Sequence, residues 1–432
     1  MWNLTARSLL AVGARSLHRT RIALAFGHQP PRQVGIRDPG ERLTRLLTNN
    51  VIPYWTTHVV DRSRGGYHNE LDADGTPRPG ATKYVVSQAR TLWFFTRLAT
   101  SSIALPGMDR ASSDGFDFIY ENLWDDKRGG FFTSVSAAGT TDRDKHFYCQ
   151  LMALDAIIEY WRLTGSTRAY AVASDILELL DKRFHDDTGG YVEGLTEDWR
   201  PLPDERSLLV TRATDKTTST HVNALNVFTV AQEAGVADLS GQIGELVALI
   251  EGPMRLPGSA LVAEYFTRDW TLTSTPPLVS YGHNLERIWM MARAGEALGR
   301  DPGPTLEADR TAFDEIVRWS WDRSRGGFFS SGLAGRPPRN FDKEWWVQLE
   351  ALVVSLLLHR RHPNGQYLGY FERTLRWIET SQTDWEFGEF HERVDLQGRS
   401  RGNKAWTWKT GYHSVRALMM ALELLPKGGE GE

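Results

Sequence analysis

The chain of 432 residues contains a single cysteine, Cys149. One thiol excludes an intrachain disulfide framework and any zinc site built on several cysteines. Charge of either sign is not in excess: 50 Lys and Arg face 54 Asp and Glu, a formal net charge of −4. Without a basic surplus or a basic tract, nucleic acid and anionic membrane surfaces are poor partners. No apolar run reaches the roughly 20 residues that a membrane-spanning helix needs. A His-Glu-x-x-His motif is also missing, which removes that helical zinc pattern. What remains is a chain that is 41% hydrophobic and 24% charged, with 16 tryptophans. Such a balance is that of a globular protein. Tryptophan suits both core packing and stacking on the apolar faces of sugars, and composition does not separate the two.

Residues 1–39 read apart from the rest. They carry Arg7, Arg15, Arg19 and Arg21, and no acid precedes Asp38. The pattern fits an organelle-import segment, and it equally fits a disordered extension ahead of the folded part. Cytoplasmic residence is expected, with organelle import as the alternative, and the fold is sought in residues 40–427.

A turn recurs along that region: Asp61 to Tyr67, Asp126 to Phe131, Asp187 to Tyr191 and Asp322 to Phe328, each with a Gly-Gly pair. The pairs begin at residues 65, 129, 189 and 326, at intervals of 64, 60 and 137. The last interval is about twice the others, which places a degenerate copy near 255–265; a weaker copy, Asp384 to Phe390, ends the series. Six units of roughly 60–70 residues follow. After each turn comes a short β-like stretch, then a polar start marked by Lys83, Lys145, Lys216, Lys343 or Lys409, then two helical runs. In the second unit Phe147, Leu151, Leu154, Ile157 and Ile158 fall at helical spacing. The fold class is therefore all-α. Twelve helices in six hairpins could form an open solenoid or close into an (α/α)6 barrel with short β-hairpins at the cleft-side loops. Closure is preferred, because polar and aromatic groups cluster where the first helices start, and a closed ring aims those ends into one cleft.

The clusters are Gln88 and Arg90; Lys145 to Gln150 with Tyr148; Ser219 to Asn226; Tyr281 to Glu286; Lys343 to Glu350; and Trp406 to Arg416. His283 and Glu286, three apart, share a helical face, where a carboxylate can fix an imidazole's tautomer and raise its pKa. His413 and Arg416 have the same spacing. Trp345 and Trp346 point about 100° apart, so at most one lines a cleft. Taken singly, each group has a structural explanation, as a helix-surface pair, a core ring or a surface ion pair; His221 and Cys149 are read that way. Recurrence at one phase of the repeat favours a shared site. Two histidines, a carboxylate, an arginine and aromatics would suit a neutral polar ligand with apolar faces, such as a sugar.

From about residue 42 to 425 the sequence resembles the N-acylglucosamine 2-epimerase superfamily, and its cellobiose 2-epimerase branch more than its mannose isomerase branch. The resemblance rests on Gly65-Gly66-Tyr67 with Leu71 to Gly75, Lys83 with Gln88-Ala89-Arg90, Lys145 to Tyr148, Gly282 to Glu286, Lys343 to Glu350, and Trp408 to Arg416. It implies an (α/α)6 barrel and a sugar 2-epimerase. The reaction opens the ring, removes the C2 proton, and returns it through an enediolate to the other face, or to C1 to give a ketose. It implies His283 and His413 as the acid/base pair, Glu286 tuning His283, and Arg90 beside the substrate oxygens. Tyr148, Asn223 and Glu350 would contact the sugar, and Trp346 and Trp408 would stack on it. The resemblance implies no cofactor and no metal. The expected partner is a small-molecule sugar, and the chain is expected to be a monomer or homodimer.

One departure stands out. Where the family usually carries His-x-x-Glu-Ala, this chain has Asn223-Ala224-Leu225-Asn226-Val227. Asn cannot exchange protons near pH 7, and His221 lies about 200° round the helix from Asn223. Three alternatives stay open: an aldose–ketose isomerase; a sugar-binding protein with lost catalysis; and a glycoside hydrolase. The last needs two carboxylates roughly 5–9.5 Å apart, drawn from Glu286, Glu350, Asp384 and Glu389.

Overall fold

A helix buried on nearly every side has to be surrounded by protein, and six helices here are of that kind. The computed structural model describes residues 37–425, apart from 140 and 364. The arginine-rich stretch read as import-like lies outside the described residues. The inner helices are α3 (Val85–Ala99), α5 (Phe147–Thr164), α7 (Thr218–Glu233), α9 (Tyr281–Ala297), α11 (Trp345–Arg361) and α13 (Gly411–Leu424). In α5 every residue from Phe147 to Tyr160 is buried. The outer helices are α1 (Pro39–Leu46) with α2 (Ile52–His58), then α4 (Met108–Leu123), α6 (Thr167–Leu179), α8 (Ser240–Glu251), α10 (Pro302–Ser320) and α12 (Gly365–Trp377). A π-helical turn, Leu47–Val51, joins α1 to α2. The outer helices bury one side; in α4 it is Met108, Ser112, Gly115, Phe116, Phe118, Ile119 and Leu123.

The ring closes. Each inner helix packs on the next, and α13 packs back on α3. The fold is the (α/α)6 barrel that the repeat points to, with all six inner helices starting at the same mouth. A ladder of short strands circles that mouth. Lys83 pairs with Val135, Lys145 with Leu195, Lys216 with Phe266, Leu278 with Leu333 and Lys343 with Val394. A bridge between Leu71 and Ala405 joins the last unit to the first.

Two devices repeat with the units. The fourth residue of the inner helix pins the turn by accepting a backbone N–H. Gln88 takes that of Tyr67, Gln150 that of Phe131, His221 that of Tyr191, Asn284 that of Val262 and Gln348 that of Phe328. Gly66 is held at φ 63, and a Cβ there would lie 2.7 Å from Gln88 Oε1; hence the glycine. The second device is a buried ion pair between the turn aspartate and a lysine near the inner helix. It joins Asp61 to Lys83 at 2.8 Å, Asp125 to Lys145 at 2.7 Å, Asp322 to Lys343 at 2.7 Å and Asp384 to Lys404 at 2.7 Å. The degenerate copy is the turn bridged by Arg255 and Val262. It lacks both partners together: Leu256 stands at the aspartate position and Val279 at the lysine position. Losing one member of a buried pair costs far more than replacing both by apolar groups, so the joint replacement is the stable solution.

Candidate active site

Numbering each inner helix from its first residue puts the chemistry in register. The sixth residues are Arg90, Met152, Asn223, Glu286, Glu350 and Arg416, and the third residues are Ser87, Cys149, Thr220, His283, Val347 and His413. His283 and His413 are thus the same residue of the repeat, two units apart. Six helix N-termini face this mouth, and their aligned dipoles favour negative charge there.

The two imidazoles flank one indole. The Trp346 ring lies 5.1 Å from His283 and 5.6 Å from His413, centroid to centroid. It fits because residue 282 is glycine: a Cβ there would lie 2.2 Å from the Trp346 ring. Trp346 Nε1 donates to Glu344 at 2.8 Å, which fixes the indole. Its neighbour Trp345 is buried as packing.

His283 binds a carboxylate that sequence reasoning missed. Its Nδ1 lies 2.8 Å from Glu264 Oε2, while Glu286, the expected partner, accepts instead from Arg416 Nη2 at 2.8 Å. The helical face explains the difference. Glu286, a sixth residue, meets Arg416 of another inner helix, whereas His283, a third residue, meets the hairpin, where Thr220 likewise meets Glu193 at 2.6 Å. Glu193, Glu264 and Glu392 each stand two residues past the aromatic or apolar residue that closes the turn, Tyr191, Val262 and Phe390. That shared register was the available signal, and the degenerate fourth turn obscured it.

His413 does not use the glutamate of its own unit. Its Nδ1 lies 3.0 Å from Glu350 Oε1, on the neighbouring helix. Arg416 Nη2 donates to the same oxygen at 2.5 Å and approaches His413 Nδ1 to 3.2 Å. Trp289 Nε1 takes the other Glu350 oxygen at 2.9 Å. Since an ionised carboxylate only accepts, both histidines donate from Nδ1, which leaves Nε2 to face other partners.

The surroundings push the two imidazoles in opposite directions. Burial disfavours charge on His283, but Glu264, with help from Glu286 and Glu344, outweighs it and carries the group up to about 9. Burial lowers His413, and the Arg416 charge adds to that, so it stays below the ordinary histidine value despite its Glu350 bond. Arg416 holds Glu350 ionised against its complete burial.

On the opposite wall Arg90 donates to the Trp408 carbonyl at 2.9 Å and to Tyr148 Oη at 2.5 Å. The Tyr148 and Trp408 rings meet edge to face at 5.7 Å. Asn223 donates Nδ2 to the Ser219 carbonyl at 2.9 Å, so its side chain offers the cleft an acceptor oxygen. Asn226 lies deeper, 3.3 Å from Arg293, and His221 is occupied in the turn.

Glu286, Glu350 and His413 present ligand atoms within 4.8 Å of one another, a set that could hold a metal. The Arg416 guanidinium already fills the space between them, so the donor set does not fit an ion. The acids named for hydrolysis are similarly engaged. Asp384 pairs with Lys404, Glu389 accepts from Trp55 and Ser414, and Glu286 and Glu350 share Arg416.

A closed ring of helices with a polar, aromatic-lined cleft at its mouth defines an (α/α)6 barrel. The family model described as N-acylglucosamine 2-epimerase (GlcNAc 2-epimerase) matches residues 65–417, and the chain belongs to that family. A cellobiose 2-epimerase of Bacteroides fragilis is 26% identical, over 89% of this chain and 98% of its own length. A D-mannose isomerase of Pseudomonas cannabina is 23% identical, over 82% of this chain and 87% of its own. The structure of a cellobiose 2-epimerase from Spirochaeta thermophila superposes with a TM-score of 0.80 at 27% identity, covering 89% of this chain and 96% of that one. The chain is an isomerase of the carbohydrate 2-epimerase and aldose–ketose isomerase class. No helix among the described residues is long and apolar enough to cross a membrane.

Proposed function

We propose that this protein is a cofactor-independent sugar 2-epimerase working through His413 and His283. The observation that carries the reading is the opposite tuning of two repeat-equivalent histidines around one indole. Groups whose environments drive their pKa values apart sort into an acid and a base. Near neutral pH His413 is neutral and His283 is protonated. His413 Nε2 takes the C2 proton of the open-chain aldose, the electron pair moves into the enediolate, and the His283 imidazolium returns a proton to C2 on the other face. Arg90 and the helix N-termini supply positive potential for the enediolate oxygens. Trp346 and Trp408 offer apolar faces to the sugar, and Tyr148, Asn223 and Glu350 complete the contact set. Delivery of the proton to C1 in place of C2 would give a ketose from the same intermediate, which is the isomerase reading. Cellobiose is a fitting first substrate, since the relatives named above include cellobiose 2-epimerases.

Incubation with cellobiose and common aldoses in D2O tests the reading. Deuterium at C2 with formation of the 2-epimer is expected, and His413→Ala is expected to lower that exchange by about 10²–10⁴-fold with the fold intact. Unchanged exchange in His413→Ala would remove the assignment. Ketose as the sole product would select the isomerase, and sugar binding without any exchange would select a binding protein.

A further inference from the structure

Behind the catalytic layer lies a second opening. A cavity of about 360 Å³ runs among the C-terminal halves of the inner helices, away from the histidines. Arg97, Asp155, Glu159, Arg293, Tyr412 and Arg416 are among the residues that line it. Asp155, the ninth residue of α5, is 3% exposed and plays no part in the chemistry described so far.

A chain of hydrogen bonds leads from it to His413. Tyr412 Oη donates to Asp155 Oδ2 at 3.0 Å and accepts from Arg416 Nη1 at 3.1 Å. Arg416 Nη2 donates to Glu350, and Glu350 accepts from His413 Nδ1 at 3.0 Å. Arg416 and His413 therefore compete for one carboxylate oxygen, and the seat of the guanidinium decides how firmly Glu350 supports the imidazole. Tyr412 fixes one side of that seat. Asp155 fixes the direction of the Tyr412 hydroxyl and partly offsets the guanidinium charge.

We propose that Asp155 is a positioning residue for the acid/base work of His413, acting through Tyr412 and Arg416. The kinetic part rests on the epimerase reading; the structural part does not. The groups facing Asp155 are Glu159 on its own helix, Arg97 on α3, Arg293 on α9, and Tyr412, Arg416 and Glu423 on α13. Burial and Glu159 raise Asp155 to about 6, so it remains ionised from neutral pH upward. Without that charge Arg416 is less compensated, pulls harder on Glu350, and leaves His413 a weaker base.

The test uses full-length Asp155→Asn, Tyr412→Phe and the double variant. The His413 imidazole is titrated by NMR, thermal unfolding is recorded, and kcat and KM are measured on the aldose that exchanges C2 deuterium. His413 is expected to titrate lower than in wild type in both single variants. The kcat should fall about tenfold while KM moves less than about twofold. The double variant should lose no more than the worse single one, because both act in one chain of bonds. A role confined to packing would lower the unfolding temperature and leave the His413 titration in place, and that result overturns the proposal. Should Asp155→Asn fail to fold, Tyr412→Phe, which keeps the ring, carries the test. A wild type that exchanges no aldose would sink the epimerase reading, while the His413 titration would still decide the relay.

Discussion

His283 and His413 occupy one position of the repeat and differ in where their carboxylates come from. Glu264 belongs to the same unit as His283 and reaches it across a single hairpin. Glu350 comes to His413 from the neighbouring inner helix and is shared with Arg416. An unshared carboxylate outweighs burial at the first imidazole; at the second, burial and the Arg416 charge outweigh the shared Glu350. Two copies of one structural unit thus acquire opposite protonation states through a choice of partner, with the histidine itself unchanged.

The harshest way to break the comparison is Glu350→Gln. It leaves Arg416 short of a counter-charge in a buried place, which costs about 3–5 kcal/mol of stability when a buried pair is broken. His413 also loses the carboxylate charge that supports it, keeping at most a neutral amide acceptor. Loss of C2 exchange by about 10³-fold is expected, with a clearly lower unfolding temperature. Glu264→Gln is the gentler counterpart. His283 should fall from about 9 towards or below the free value near 6.5, with exchange at pH 8 down about 10–100-fold. An NMR titration of His283 that stays near 9 would show that Glu264 does not set it.

Gly282→Ala sharpens the comparison by leaving both histidines in place and displacing the indole between them. The added Cβ meets the Trp346 ring, and about tenfold lower kcat/KM is expected from the misplaced surface. The least invasive measurement is the wild-type pH profile of kcat. Activity should be lost as pH rises through about 9, where His283 gives up its proton. It should also be lost as pH falls below His413's value, which lies under the ordinary 6.5. The stability signs agree. The raised His283 stabilises the fold fully below pH 6.5 and ceases to as pH climbs through about 9. The depressed His413 costs stability as pH falls below 6.5. A flat profile between pH 6 and 10 would contradict the split.

Much of this was legible in the sequence because it repeats. The Gly-Gly turns gave the period, the lysines marked the inner helices, and the polar clusters favoured closure. His283, His413, Arg90, Tyr148, Trp346 and Trp408 do gather at one mouth. Glu286 helps to raise His283, but the hydrogen bond of that imidazole goes to Glu264, because spacing along a helix reports neighbours on that helix and says nothing of the hairpin behind it. Glu264 was hidden because Leu256 and Val279 had replaced the charged pair that marks the register elsewhere. The contacts of Arg416 with Glu286 and Glu350 join residues 130 and 66 positions apart, a separation that no local pattern bridges. Of the tryptophans whose place within helical runs marks them as packing rings, Trp93, Trp289 and Trp377 are buried and Trp161 is half-buried against the core.

The bridge between Leu71 and Ala405, with α13 seated on α3, has a consequence for how such a chain can vary. An open array can gain or lose a unit and keep its local contacts, since only its ends notice. Here each unit must span one sixth of a circle, and there are no ends to adjust. Deleting one would misalign every remaining pair of neighbours at once. Change is therefore confined to what each unit carries: a serine, a cysteine, a threonine, a valine or a histidine at the same place on its inner helix. The circle holds the count fixed and leaves the chemistry free to differ from one spoke to the next.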